Sequence, residues 1–147
     1  KILFLHRDHA MDLYPGVSCE GWADNASGML TLRSCHGVDG FALLQDEYQY
    51  ESGKDASKKI EACIRNFENI NALPTASMCW GVSFTSATAL SSGTPLVFAN
   101  EINHVVADFL AERQFKHCGI VFIDFVGNQG GRSLVDVLIK CNYQYDS

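Results

Sequence analysis

The sequence predicts an α/β fold built on parallel strands. Three observations predict it: four short apolar runs of the kind found in strands buried on both faces, amphipathic stripes at helical spacing between the later runs, and polar or charged residues directly after each run. At 147 residues and 47% hydrophobic, the chain holds enough apolar material for one core and too little length for two ordinary domains. Residues 1–147 are therefore read as a single unit.

The first run, Ile2 to Leu5, follows Lys1 directly and leads into Arg7, as though the chain opened at the edge of a strand. That abrupt start predicts an upstream segment, either removed or present as a separate polypeptide. Residues 10–40 break the rhythm. Their Gly, Asn, Ser and Asp content, with the short Met29 to Leu32 run, predicts a long loop carrying one extra strand. The second run, Phe41 to Leu44, leads into Gln45 and Asp46. After it, Ile60, Cys63, Phe67 and Ile70 recur at helical spacing, with Ser52 or Asp55 as the N-cap and the lysines on the exposed side. The third run, Cys79 to Phe84, leads into Thr85 and Ser86. Ile102, Val105, Val106, Phe109 and Leu110 then form a second helical stripe, capped at Asn100 and closed by Arg113 and Lys116, whose charges suit a helix C-terminus. The fourth run, Gly119 to Phe125, is interrupted by Asp124 and passes through the Gly-rich turn Gly127 to Gly131 into the stripe Leu134, Val135, Leu138 and Ile139. The resulting order is strand, long loop, strand, helix, strand, helix, strand, helix.

Arg7, Asp46 with Tyr48, and Thr85 with Ser86 each follow an apolar run, and Asp124 stands near the end of the fourth. The C-terminal ends of parallel strands are where sites are built in such folds, so these polar groups are candidates to converge there. The formal net charge of −6 gives no electrostatic footprint for nucleic acid, whose phosphates require many Lys and Arg. No apolar run approaches the roughly 18 to 20 residues that span a bilayer, which leaves at most a peripheral membrane contact. Asp and Glu are dispersed and no histidine pair has ligand spacing, so no metal and no cofactor are predicted. The six cysteines lack the close pairs of a zinc finger. They predict an exported, secreted protein with at least one disulfide, Cys19 to Cys35 being the first candidate because both lie in the loop-rich segment. Buried free thiols are the alternative. Asn25-Ala26-Ser27 is a glycosylation sequon, which adds weak support for export.

Several segments stand together in a meaningful order: Lys1-Ile2-Leu3-Phe4-Leu5-His6-Arg7, Gly21-Trp22-Ala23-Asp24-Asn25, Gln45-Asp46-Glu47-Tyr48, Ser83-Phe84-Thr85-Ser86, and Gly119 to Phe125. In this order they resemble the second half of the bacterial and fungal phosphatidylinositol-specific phospholipases C, and the resemblance covers essentially the whole chain. It implies an α/β fold that is the C-terminal half of a distorted TIM-type (β/α) barrel, the PLC-like phosphodiesterase fold. It further implies that Arg7 and Asp46 hydrogen-bond the inositol hydroxyls, since a polyol needs donors and an anionic acceptor. Tyr48 would stack on the ring, and Trp22 and Asp24 would line the same pocket. Ala23 stands where the family often has proline, which makes that loop less rigid. Asp124 would orient a general-base histidine. Ordinary structural roles compete with these: an Arg7–Asp46 ion pair, and Tyr48 and Trp22 as core aromatics with polar tips.

Family chemistry uses one histidine to take a proton from the inositol 2-hydroxyl as it attacks phosphorus, and another to protonate the departing diacylglycerol oxygen. His6, His9, His36, His104 and His117 do not match those motifs. The leading expectation is thus a phosphodiesterase in which this chain supplies the inositol subsite and the carboxylate, while an upstream N-terminal half-barrel polypeptide supplies the histidines. Two further expectations stand beside it. One is a non-catalytic, lectin-like or effector module that binds inositol, a phosphoinositide or another sugar. The other is an interaction protein closed by self-association.

Overall fold

The computed structural model describes residues 5–7, 16–34, 39–52, 55–74, 77, 79–91 and 93–143. In chain order its elements are β1 (Leu5–His6), β2 (Val17–Glu20), β3 (Ser27–Ser34), β4 (Asp39–Gln45), β5 (Gln49–Tyr50), α1 (Ala56–Asn71), β6 (Cys79–Phe84), β7 (Thr88–Ala89), α2 (Pro95–Arg113), β8 (Ile120–Phe122) and α3 (Gln129–Tyr143). Six strands form one curled sheet in the order β1-β2-β3-β4-β6-β8, while β5 and β7 pair separately. Among the described strands the two edges are β1 and β8; β8 lies within the run Gly119 to Phe125, whereas of the run Ile2 to Leu5 only Leu5 falls within the described residues.

The sheet is mixed rather than wholly parallel. Strands β4, β6 and β8 run parallel, as do β1 and β2, but β3 is antiparallel to both β2 and β4. The segment read as a long loop with one extra strand holds two strands joined as a hairpin. Only Met29 to Leu32 advertised itself by hydropathy. Val17–Glu20 is short and mixed, and it becomes a strand because Cys19 faces Leu32 across the ladder and both are buried. Gly21 (φ +79°) and Asn25 (φ +52°) take left-handed backbone in the connecting turn, which those two residue types tolerate best.

Register divides the core into two. Cys19, Leu30, Leu32, Ala42, Leu44 and Val82 share the inner face of the curl, packed by Leu5, Val17, Trp22, Trp80 and Phe84. The helices cover the outer face, where Cys63 and Phe67 of α1, Phe98, Ile102, Val106 and Leu110 of α2, and Leu134 and Cys141 of α3 meet. Helix α1 opens at Asp55, whose carboxylate accepts the Ser52 N–H (3.0 Å) and pairs with Lys58 (2.7 Å). That contact holds the Asp55 carboxyl below its ordinary pKa, the Lys58 hydrogen bond being the larger cause.

Two expectations about the helices need correction. Helix α2 begins at Pro95 with Thr94 as N-cap, not at Asn100, because proline is well suited to the first helical position, where its missing N–H has no partner to lose. Asn100 instead lies inside the helix and accepts a hydrogen bond from Asn128 (3.1 Å). The lysines of α1 are not all on the exposed side: Lys58 is exposed but Lys59 is fully buried. Helix α3 starts within the Gly-rich segment, and Gly131 lets its first turn pass close to the Phe125–Val126 backbone, since a Cβ there would lie 2.5 Å from the Phe125 carbonyl oxygen. Among the described residues, no helix is long and apolar enough to cross a membrane, and no group of His, Cys, Asp and Glu is placed to hold a metal ion.

Candidate functional site

Parallel pairing of β4, β6 and β8 puts their C-terminal ends at one end of the sheet, and the β2–β3 turn reaches the same end because Ser27 pairs with Gln45. Arg7 follows β1, Trp22 and Asp24 sit in the β2–β3 turn, and Asp46 and Tyr48 follow β4. These side chains form one connected cluster. The Trp22 indole donates to Asp46 Oδ2 at 2.8 Å. The Arg7 guanidinium lies over the Trp22 ring, 4.9 Å from its centroid, and its two terminal nitrogens stand 3.9 Å from Asp46 Oδ2 and 4.0 Å from Asp24 Oδ1. The Tyr48 hydroxyl donates to both oxygens of Asp24 at 3.1 and 3.0 Å.

Exposure separates the two carboxylates. The Asp46 side chain is 11% exposed and the Asp24 side chain 72%. Asp46 is therefore the dry acceptor at the base of the cluster, whereas Asp24 sits on its rim. Asp46 Oδ2 already takes the indole and guanidinium contacts; among the described residues no hydrogen bond engages Oδ1. The hydrogen bond to Asp24 pushes the Tyr48 phenol above its ordinary pKa, because the carboxylate stabilises the protonated hydroxyl, and burial and the charges of Asp24 and Asp46 act in the same direction. An aromatic row continues from the cluster: Phe84 meets Trp22 edge-on at 6.0 Å, and Phe122 stacks on Phe84 at 4.5 Å. A guanidinium, two carboxylates, a phenol and flat apolar rings suit a polyhydroxylated ring, which offers hydroxyls at its edge and C–H groups on its faces.

The backbone beneath the cluster is held by side chains that reach across the sequence. Asn25 Oδ1 accepts the N–H groups of Tyr48 (2.7 Å) and Gln49 (2.8 Å). Buried Gln45 donates to the Glu47 carbonyl (3.3 Å), and its Oε1 accepts from the Phe84 N–H (3.3 Å) and from the Cys63 thiol (3.6 Å). Burial pushes that thiol up to a pKa of about 11. Asp124 stands past β8 at the same end of the sheet. Its carbonyl accepts from Asn103 of α2 (2.9 Å), and Asn103 Oδ1 accepts the Thr85 hydroxyl (2.8 Å).

No protein-family model and no curated protein matches the sequence. Solved structures do. A phosphatidylinositol-specific phospholipase C from Staphylococcus aureus carrying pentafluoro-Phe superposes with a TM-score of 0.63 at 21% identity, over 79% of this chain and 38% of that one. A double mutant of the same enzyme gives 0.62 at 21%, with the same coverage. A third form, solved in connection with modulation of its membrane binding, gives 0.61 at 20%, over 80% of this chain and 39% of that one. The fold is that of the C-terminal portion of a phosphatidylinositol-specific phospholipase C. This chain spans 38% of the length of the first two structures, so it presents part of the phospholipase barrel.

On this phospholipase-type half-barrel, Arg7, Trp22, Asp24, Asp46 and Tyr48 are brought together by direct contacts. Asp124 shares their end of the sheet, but among the described residues no hydrogen bond or ion pair joins it to them. Two open cavities lie elsewhere. One, about 490 Å³, sits at the N-terminal ends of β6 and β8 between Trp80, His117 and Cys118, and the other, about 370 Å³, lies between β3, β4 and α1. Cys35 falls outside the described residues, and with it the Cys19–Cys35 pairing. No disulfide joins the described cysteines Cys19, Cys63, Cys79, Cys118 and Cys141, so the expected disulfide is not found among them. Burial raises the Cys118 thiol pKa, and a hydrogen bond with Cys141 adds to the shift.

Sequence reasoning missed Lys59 and Asn103, and it gave no role to Gln45 or Asn25 beyond their place in the family-like segments and, for Asn25, in a sequon. One signal was available. Lys59 and Asn66 occupy the same helical stripe as Ala56, Cys63, Phe67 and Ile70, and Asn103 lies in that of Ala99, Ile102, Val106 and Leu110. A polar residue inside an apolar stripe is a buried group that must find a partner. Asn66 finds the Val82 carbonyl (3.1 Å) and the Ser83 hydroxyl (2.9 Å).

Proposed function

We propose that this chain carries the inositol subsite of a phosphatidylinositol-specific phospholipase C-type phosphodiesterase. The Arg7–Trp22–Asp24–Asp46–Tyr48 cluster, on this fold and at this end of the strands, is the observation that carries the reading. Arg7 donates to ring oxygens, Asp46 Oδ1 and the Tyr48 hydroxyl oxygen, whose proton is held by Asp24, accept ring hydroxyls, and the aromatic faces of Tyr48 and Trp22 cover the ring's C–H groups. Asp124 orients the general-base histidine, which comes with a second histidine from an N-terminal half-barrel polypeptide. The exposed apolar inner-face residues of edge strand β8, Ile120 and Phe122, support such a partner. Leu90, Leu96, Val97, Phe125 and Val126 are exposed around the same end of the sheet as the cluster and support a peripheral contact with the lipid surface that holds the substrate. An extracellular setting fits this reading.

A second reading is favoured by one observation: the polyol cluster is assembled entirely from this chain. It would then be a binding module without catalysis. Titration with myo-inositol followed by nuclear magnetic resonance, together with release of diacylglycerol from phosphatidylinositol vesicles, separates the two. Both readings expect saturable inositol binding that Asp46→Asn weakens about tenfold or more, as loss of a charged hydrogen-bond partner does. Only the first expects diacylglycerol release when the N-terminal half is supplied. Binding unaffected by Asp46→Asn would overturn both.

A further inference from the structure

Lysine is among the residue types least often buried. Yet Lys59 has no exposed surface, and it sits in the first turn of α1, where the positive end of the helix dipole opposes a cation. Burial lowers its pKa, against the opposing pull of Cys63, Asp46, Glu47 and Asp124. An apolar side chain of similar volume would fill the space with neither penalty. The ammonium therefore answers to something other than packing.

Among the described residues its hydrogen bond goes to a single backbone atom, the Glu47 carbonyl oxygen. Side chains on a helix lean toward its N-terminus. The N-terminus of α1 lies at the C-terminal end of β4, because α1 makes the crossover from β4 to the parallel strand β6. The lysine stem thus carries the charge from the core to the turn that follows β4. There Gln45 Nε2 donates to the same carbonyl, while Asn25 Oδ1 takes the next two N–H groups, those of Tyr48 and Gln49. Asp46 and Tyr48, the residues on either side of Glu47, reach the Arg7–Trp22–Asp24 cluster.

We propose that Lys59 is a positioning residue for the polyol subsite: from inside the core, its buried ammonium holds the Glu47 carbonyl and so fixes the turn that presents Asp46 and Tyr48 to the ligand. This rests on the inositol-subsite reading above. Lys59 does not touch the ligand and acts through the backbone.

Two variants test it on the full chain, in the assembly state in which it purifies. Lys59→Met keeps the volume of the stem and removes donor and charge; Lys59→Gln keeps a donor and removes the charge. Three quantities are compared: the melting temperature, the hydrogen-exchange rates of the Tyr48 and Gln49 amides, and the affinity for myo-inositol. For Lys59→Met we expect melting close to or above that of the native chain, exchange at Tyr48 and Gln49 faster by about tenfold or more while the α2 core amides are unchanged, and inositol affinity lower by about tenfold. Lys59→Gln should fall between, and it carries the comparison if Lys59→Met does not fold. Loss of melting temperature with uniformly faster exchange would mean a merely structural lysine and would overturn the proposal, as would native exchange at Tyr48 and Gln49. If the native chain binds no inositol but the local exchange effect appears, the anchoring role stands and it is the polyol reading that fails.

Discussion

The Tyr50 hydroxyl is buried and, among the described residues, has no hydrogen-bond partner. Burial is the main reason that its pKa is raised, with the Glu47 carboxylate next. A buried polar atom left without a partner carries its full desolvation penalty, about 1–3 kcal/mol. Tyr50→Phe keeps the ring against Phe98, 6.0 Å away, and removes only the orphaned oxygen. It should stabilise the protein by about 1 kcal/mol or more, measured as a higher urea midpoint at unchanged slope. A lower midpoint would mean that the hydroxyl has a partner. The contrast with Asn103 is instructive. It is equally well hidden, but it is satisfied at both ends, by Thr85 and by the Asp124 carbonyl.

At the scale of elements, two glycines separate backbone strain from close packing. Gly21 and Gly119 both take left-handed backbone, at φ +79° and +69°. A Cβ at Gly21 would meet nothing within 4 Å, whereas one at Gly119 would lie 2.4 Å from the Gly81 carbonyl oxygen, where the approach to β8 passes β6. Gly21→Ala should therefore lose only the conformational strain, about 1 kcal/mol, and Gly119→Ala should lose that and more, on the order of 3 kcal/mol. Chemical denaturation of both variants side by side checks the order. Equal losses would mean that β8 shifts freely relative to β6.

For the whole molecule, the sheet has two edges among its described strands, and the β8 edge shows Ile120 and Phe122 at 42% and 46% exposure. An apolar edge of that kind invites pairing with another chain. Joint Ile120→Lys and Phe122→Lys substitution should leave the helical core intact, since neither residue belongs to it, and should abolish association. Sedimentation across a concentration series tests this: the native chain should associate with itself or with the proposed N-terminal half-barrel, and the double variant should sediment as a monomer. A native chain that stays monomeric and refuses the N-terminal half would remove the split-barrel account and leave the binding-module reading.

Features that depend on local periodicity were readable from the residues alone. The apolar runs at Phe41 to Leu44 and Cys79 to Phe84 became β4 and β6, and the stripes around Cys63, Val106 and Leu134 became α1, α2 and α3. Of the candidate site residues, Arg7, Asp46 and Tyr48 were legible as polar groups following apolar runs, and Trp22 and Asp24 only because their segment resembled that of a known family. The rest depends on contacts between distant parts of the chain. Val17–Glu20 is a strand because Leu32, thirteen residues on from Cys19, lies opposite it. Lys59 belongs to the core because a carbonyl twelve residues earlier receives it, and Asn103 because Asp124, twenty-one residues later, does. Periodicity reports which face of an element is apolar. Whether a polar group on that face can be buried depends on a partner that chain folding brings from a distance, and no local pattern encodes that partner.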